Sequence, residues 1–259
     1  MNPTRCAREP TRALLLPGSG SDEVFVRAVF APALATLGVE LVAAAPAARS
    51  VVRSGHEAAD RAAAQPGPLL VGGISLGAAV ATSWALAHRG RIDGLLLVMP
   101  AWWGDPTGSP AAAGARSSAA ALRRDGLPRV LAAVAATTPG WLSDELARAW
   151  GRYATSDPGA LVAALETAAH HVAPTVAELA GLDLPVGIVA VADDPLHPRA
   201  VALQASEVLP RAACEHLRLS EVGADPAVVG YAAVRALRRA GWVPAAQVGS
   251  GPVSGSTSC

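Results

Sequence analysis

The pentapeptide Gly-Ile-Ser-Leu-Gly at residues 73–77 is the feature that most constrains how this chain can fold. It follows an apolar run at 68–72 and precedes a segment of helical character at 78–88. In the G-x-S-x-G pattern a strand ends at the serine and the chain continues as a helix. The turn between them is so tight that glycines must flank the serine. The turn also holds the serine hydroxyl up at the carboxyl end of a sheet. The pattern therefore predicts a strand–turn–helix with Ser75 at its apex, and acyl chemistry at that hydroxyl.

Short apolar runs alternate with helical patterns along the chain. Most runs are almost continuously hydrophobic, as is typical of parallel strands covered on both faces, whereas the last one alternates as an edge strand does. This alternation predicts an α/β fold: a parallel sheet of about six strands with helices on both faces. The predicted strands are residues 13–16, 40–45, 69–73, 94–99, 186–192 and 215–219.

The alternation is interrupted once, after residue 99. About 80 residues without a convincing strand follow, far more than an ordinary connection. They contain helix-start patterns at Ser143, at Asp157 and at Thr175, where Glu178 completes a capping box. We therefore predict a core at 12–100 and 182–243, a helical lid at 101–181, a flexible amino terminus at 1–11 and a disordered Gly/Ser-rich tail at 244–259.

Composition excludes several classes of function. The formal net charge is zero, so neither nucleic acid nor an anionic membrane is an implied partner. No apolar run approaches the roughly 20 residues that span a bilayer, and no apolar leader opens the chain, so we expect a cytoplasmic protein. The sequence contains no lysine, which excludes Schiff-base chemistry, and the three cysteines are too dispersed for a metal site or disulfide framework.

A nucleotide cofactor is also disfavoured. Gly18 and Gly20 follow a predicted strand, but a dinucleotide fingerprint needs a small residue where this chain has Glu23. A negative charge at that helix start would repel a pyrophosphate. We predict that the protein uses no cofactor and acts on a small molecule.

Beyond the serine turn, three further segments resemble the α/β-hydrolase family, and the resemblance covers residues 12–241. Residues 14–20 resemble the loop that supplies half of the oxyanion hole, 94–100 the strand after the serine helix, and 189–198 the strand and loop that carry the acid. The first two strands of the family are missing. The pairing of Asp-Asp-Pro-x-His-Pro with a later Gly-Ala-Asp-Pro resembles a group of actinobacterial hydrolase-fold proteins of unassigned activity.

The resemblance implies roles for particular residues. Ser75 would attack an acyl carbonyl, and the backbone N–H groups of Ser19 and Leu76 would stabilise the oxyanion. The acid aligns best at Asp194, with Asp193 a close second. The alternative for this pair is a purely local role in a turn, because Asp-Pro commonly starts one.

The family's histidine is missing from its usual place. That position, in the loop after the last strand, holds Ala224, and no histidine follows His216. His197 is the best substitute, because a turn could let Asp194 accept its Nδ1–H while Nε2 faces Ser75. Alternatively, His197 only precedes the proline that begins the next helix.

Two lid histidines, His170 and His171, are further candidates for the base, although a polar helix end explains them as well. Trp102, Trp103 and Trp141 lie at the entry of the lid and within it. They predict an apolar substrate pocket, or else they pack the lid against the core.

The resemblance thus implies a serine hydrolase that acts on an ester or thioester with an apolar acyl or alkyl group. Because the usual histidine is absent, two alternatives stay open. One is a fold that has lost hydrolysis and binds a ligand or runs a lyase or cyclase step, with Asp105 or a lid histidine taking part. The other is a non-catalytic partner protein.

Overall fold

The computed structural model describes residues 11–45, 51–157 and 159–244. The predicted flexible amino terminus and disordered tail, apart from residues 11 and 244, lie outside the described residues. In chain order the elements are β1 (Arg12–Leu16), α1 (Glu23–Ala35), β2 (Glu40–Ala43), α2 (Val51–Ala63), β3 (Leu69–Ile74), α3 (Leu76–Ala87), β4 (Gly94–Val98), α4 (Pro110–Asp125), α5 (Leu127–Ala135), α6 (Gly140–Ser156), α7 (Ala160–His170), α8 (Val176–Leu179), β5 (Val186–Val191), α9 (Arg199–Val208), β6 (Ala212–Leu217), α10 (Leu219–Ala224) and α11 (Ala227–Arg239).

The strands form one parallel sheet in the order β2-β1-β3-β4-β5-β6, which confirms the predicted fold class. Strands β1, β3, β4 and β5 are buried along their whole length, as their continuous hydrophobicity predicts. The edge strand β6 is only partly buried. It begins three residues before the predicted strand, because apolar and polar residues do not alternate clearly before Glu215. The strand order reverses at β1 and β3, where α/β sheets open a crevice at the carboxyl ends of their strands.

Two apolar layers cover the sheet. In β1, Leu14 and Leu16 face the layer formed by α2, α3 and α9, whereas Ala13 and Leu15 face the layer formed by α1 and α11. Alternate side chains of one strand therefore join different cores, which holds the sheet rigid between them. This rigid sheet positions the loops at its carboxyl edge.

Helices α4–α7 form an all-helical insertion between β4 and β5. The capping box predicted at Thr175 is present: its Oγ1 accepts the N–H of Glu178, and the Glu178 carboxylate accepts the N–H of Thr175. The start predicted at Ser143 is wrong, because α6 already begins at Gly140, directly after a proline. In the described part of the chain, no helix combines the length and apolarity needed to cross a bilayer.

Candidate active site

Ser75 lies at the apex of the turn between β3 and α3, with φ 54° and ψ −116°. The flanking glycines are required by the close approach of backbone on each side. A Cβ on Gly73 would lie 2.6 Å from the carbonyl carbon of Gly77, and one on Gly77 would lie 2.5 Å from the carbonyl oxygen of Leu16. A non-glycine residue at positive φ is strained, and such strain is concentrated at functional sites.

The imidazole of His197 lies between Ser75 and Asp194. Its Nδ1 is 2.7 Å from Asp194 Oδ2, and its Nε2 is 2.9 Å from Ser75 Oγ. Since the carboxylate can only accept, Nδ1 carries the proton and Nε2 is left to accept the Ser75 hydroxyl. The structure thus brings together the three side chains that the sequence singled out, in the order that general-base activation of a serine requires.

Asp194 is held as an ionised acceptor. Its other oxygen, Oδ1, accepts the backbone N–H groups of Leu196 (2.8 Å) and His197 (3.3 Å). Burial alone would raise the pKa of Asp194. The hydrogen bond and charge of His197 and the two backbone N–H groups outweigh burial and lower that pKa.

Asp193 has a different partner. Its Oδ1 accepts the backbone N–H of Leu219 at 2.8 Å, and this bond joins the loop after β5 to the start of α10. Of the two adjacent aspartates, the structure places only Asp194 against the imidazole of His197.

The two predicted oxyanion donors lie on segments that flank Ser75. Leu76 is the first residue of α3, and N–H groups at a helix start have no partner within the helix. Ser19 lines the same cavity as Ser75, in a turn closed by the bond from the Ser21 N–H to the Gly18 carbonyl (3.1 Å). A Cβ on Gly18 would lie 3.4 Å from the Ser75 Cβ, so this turn passes directly beside Ser75.

The lid histidines lie elsewhere. His170 is exposed and donates from Nδ1 to the carbonyl of Glu166, within its own helix. His171 is packed near His56 of α2, and burial lowers the pKa of both rings. Neither lid histidine is among the residues that line the cavity beside Ser75.

That cavity has a volume of about 320 Å³ and opens beside the serine and the imidazole. Its wall is largely apolar and comes from the loops at the sheet edge and from the insertion. The larger apolar and aromatic side chains in the wall are Phe25, Ile74, Met99, Val134, Trp141, Leu142, Leu146, Trp150, Leu165, Leu196, Leu219 and Val222. An apolar ligand fits this lining better than a charged one.

Only one of the three predicted pocket tryptophans, Trp141, lines the cavity. Trp102 and Trp103 instead line a narrow crevice next to Ser75. Their indole N–H groups donate to the carbonyls of His171 (3.1 Å), at the end of α7, and of Val201 (2.9 Å), in α9. Trp103 therefore fastens the start of the insertion to the core, and Trp102 joins the segment before α4 to the end of α7. Asp105, the residue considered for a lyase, is exposed and caps a local turn.

Sequence reasoning missed the residues that replace the usual histidine loop. Helix α10 occupies the position of that loop, and its Leu219 and Val222 face the cavity. Trp141 packs so closely on α10 that a Cβ on Gly223 would lie 2.3 Å from the indole nitrogen. The apolar spacing of Leu219 and Val222 could have indicated a short helix with one face toward the site.

No protein-family model and no curated protein sequence matches the chain. Solved structures do match. A hydrolase from Pseudomonas aeruginosa PA01 is 21% identical with a TM-score of 0.62, over 92% of this chain and 92% of that one. The esterase EaEST from Exiguobacterium antarcticum is 15% identical with a TM-score of 0.65, over 87% of this chain and 92% of that one. A thermophilic esterase from Thermogutta terrifontis is 17% identical with a TM-score of 0.62, over 90% of this chain and 91% of that one.

At these sequence identities the matches show the fold alone, and the activity has to be inferred from the site itself. The parallel sheet, the serine turn after its third strand and the helical insertion after its fourth agree with that architecture. The chain has an α/β-hydrolase fold.

Proposed function

We propose that the protein is a serine hydrolase that cleaves an ester or thioester with an apolar acyl or alkyl group, through an acyl-enzyme at Ser75. The observation that supports this most is the chain of hydrogen bonds from Ser75 Oγ through His197 to Asp194, at the wall of an apolar cavity. A serine hydroxyl is a weak nucleophile unless an adjacent base takes its proton, and His197 Nε2 is within reach of that proton.

In acylation, Ser75 Oγ bonds to the substrate carbonyl carbon while its proton passes to His197 Nε2. The carbonyl oxygen becomes an oxyanion that accepts hydrogen bonds from the N–H groups of Ser19 and Leu76. The intermediate then expels the alcohol or thiol, which leaves with the proton from Nε2. Asp194 stays ionised throughout and stabilises the imidazolium.

Deacylation repeats these steps with water. His197 Nε2 takes a proton from the water, whose oxygen bonds to the acyl carbon. Collapse of the second oxyanion breaks the bond to Ser75 Oγ, which regains the proton from Nε2 and releases the carboxylic acid.

The cavity indicates the size of the substrate. Its volume of about 320 Å³ is at the lower end of the range for ligand pockets. We therefore expect kcat/KM to be highest for apolar acyl chains of short to medium length.

A fluorophosphonate probe with intact-protein mass readout tests the proposal. The wild type should gain one phosphonyl group and hydrolyse p-nitrophenyl esters, and Ser75→Ala should do neither. Ser118→Ala, which removes another serine from the cavity wall, should still gain one label. Labelling that persists in Ser75→Ala would overturn the proposal, as would a wild type inert to probe and esters.

A further inference from the structure

We propose that Asp22 is a positioning residue, through which α6 of the insertion holds the oxyanion loop (residues 17–21) in its working position. This inference rests on the proposed function. It assigns the insertion a part in the reaction beyond covering the cavity. The inference is based on the contacts that residues 20–22 make with α6.

Asp22 lies directly after the oxyanion loop and caps α1. Its Oδ1 accepts the N–H groups of Val24 (3.0 Å) and Phe25 (3.3 Å). The side chain is only 3% exposed, so its charge needs partners inside the protein.

Those partners come from successive turns of α6. Arg148 donates to Asp22 Oδ2 (2.9 Å) and Oδ1 (2.7 Å), and Arg152 donates to Oδ2 (2.5 Å). Glu145 holds the Arg148 guanidinium from the other side, and Glu23 accepts a bond from Arg152. One carboxylate thus receives two guanidinium groups, each oriented by a second carboxylate, which fixes its place on α6.

The two preceding loop residues also contact α6. The Tyr153 hydroxyl donates to the Ser21 carbonyl at 3.0 Å. The Trp150 indole packs on Gly20, where a Cβ would lie 2.8 Å from its nitrogen, and Gly20 has φ +72°. Three consecutive residues, 20 to 22, are therefore each held by the same helix.

The proposed oxyanion donor, the N–H of Ser19, precedes these residues in the same turn. Such a donor acts only if it lies about 2.7–3.1 Å from the developing charge, so a small shift of the loop weakens transition-state stabilisation. A buried ion pair adds little net stability over an apolar replacement. The contribution of the Asp22 ion pairs is therefore to position the oxyanion loop.

The test is Asp22→Asn, which keeps a capping oxygen and the side-chain size but removes the charge. Per site titrated with fluorophosphonate, kcat should fall about 10- to 100-fold, part of the effect of losing one oxyanion donor, while KM changes little. Affinity for a trifluoromethyl ketone, which binds Ser75 as a tetrahedral adduct, should weaken in proportion to kcat/KM. Arg148→Met should reproduce both effects.

Arg123→Met is the matched control, because it breaks an ion pair with Glu166 that joins α4 to α7 within the insertion. It should keep wild-type kcat and wild-type ketone affinity. If Asp22→Asn keeps wild-type kcat, loses only titratable sites, or loses kcat with unchanged ketone affinity, the inference is overturned. A wild type inert to ester and probe would instead overturn the proposed function, and this inference with it.

Discussion

Two neighbouring loops leave the carboxyl edge of the sheet, and they contribute differently to the site. The loop after β5 brings Asp194 and His197 to Ser75. The segment after β6, where the α/β-hydrolase resemblance expects the histidine, is the short helix α10, which supplies Leu219 and Val222 to the cavity wall. An imidazole can therefore meet the serine from the loop that carries the acid, while its usual position becomes part of the pocket.

The loop after β5 is held together by hydrogen bonds among its own residues. Asp194 accepts the N–H groups of Leu196 and His197 as well as the His197 imidazole. Asp194, the turn and His197 thus form one hydrogen-bonded unit within a single loop, and Asp193 ties that loop to the start of α10. A catalytic group held in this way by its supporting hydrogen bonds is preorganised.

The largest expected effect is that of His197→Ala. If this loop supplies the base, kcat for p-nitrophenyl esters should fall by about 10⁴-fold or more. His216→Ala, an exposed histidine of β6, is the control on the neighbouring strand and should stay within about threefold of wild type. A large loss in His216→Ala with little in His197→Ala would reverse the assignment of the two loops.

The two aspartates should differ next most strongly. Asp194→Asn should lower kcat by about 10²- to 10⁴-fold, because an amide can stabilise the wrong imidazole tautomer. Asp193→Asn keeps an oxygen that can accept the Leu219 N–H, so its loss should be less than about fivefold. Steady-state kinetics of both variants measure this difference. Equal losses of kcat would contradict the geometry in which Asp194, and not Asp193, contacts His197.

Moving the histidine back should have a small effect. Ala224→His in the His197→Ala background places an imidazole at the family's usual position, but residue 224 ends α10 and is exposed. We expect less than about tenfold recovery of kcat, because a base out of hydrogen-bond reach cannot take the serine proton. Near-complete recovery would mean that α10 rearranges easily into a catalytic loop.

The smallest expected effect is on stability in acid. The pKa of Asp194 is lowered in the folded protein, so its stabilising contribution is present above the ordinary aspartate pKa and is lost as pH falls through the folded value. As the pH falls below about 4, the free energy of unfolding should therefore fall less steeply in Asp194→Asn than in wild type. Urea unfolding at several pH values measures the difference, and parallel slopes would contradict it.

The sequence predicted the sheet well, because buried parallel strands and the serine turn impose local patterns that few other structures share. It could not choose between Asp193 and Asp194, because either side chain can leave the same turn and only the packed loops separate their partners. It did not find the contacts of Asp22 with α6, since these residues are more than 120 positions apart and no local pattern links them. Residue type alone left a pocket role and a packing role open for Trp102 and Trp103, and their hydrogen bonds to His171 and Val201 favour the packing role.

Chemical rescue tests the role of His197 most directly. In His197→Gly, the space left by the ring lies between Ser75 and Asp194, and added imidazole should restore ester hydrolysis in proportion to its neutral fraction. The double variant Ser75→Ala/His197→Gly should show no gain over the hydrolysis that the same concentration of imidazole causes without protein. If His197→Gly hydrolyses esters at the wild-type rate without imidazole, the base lies elsewhere and the relocated triad is wrong.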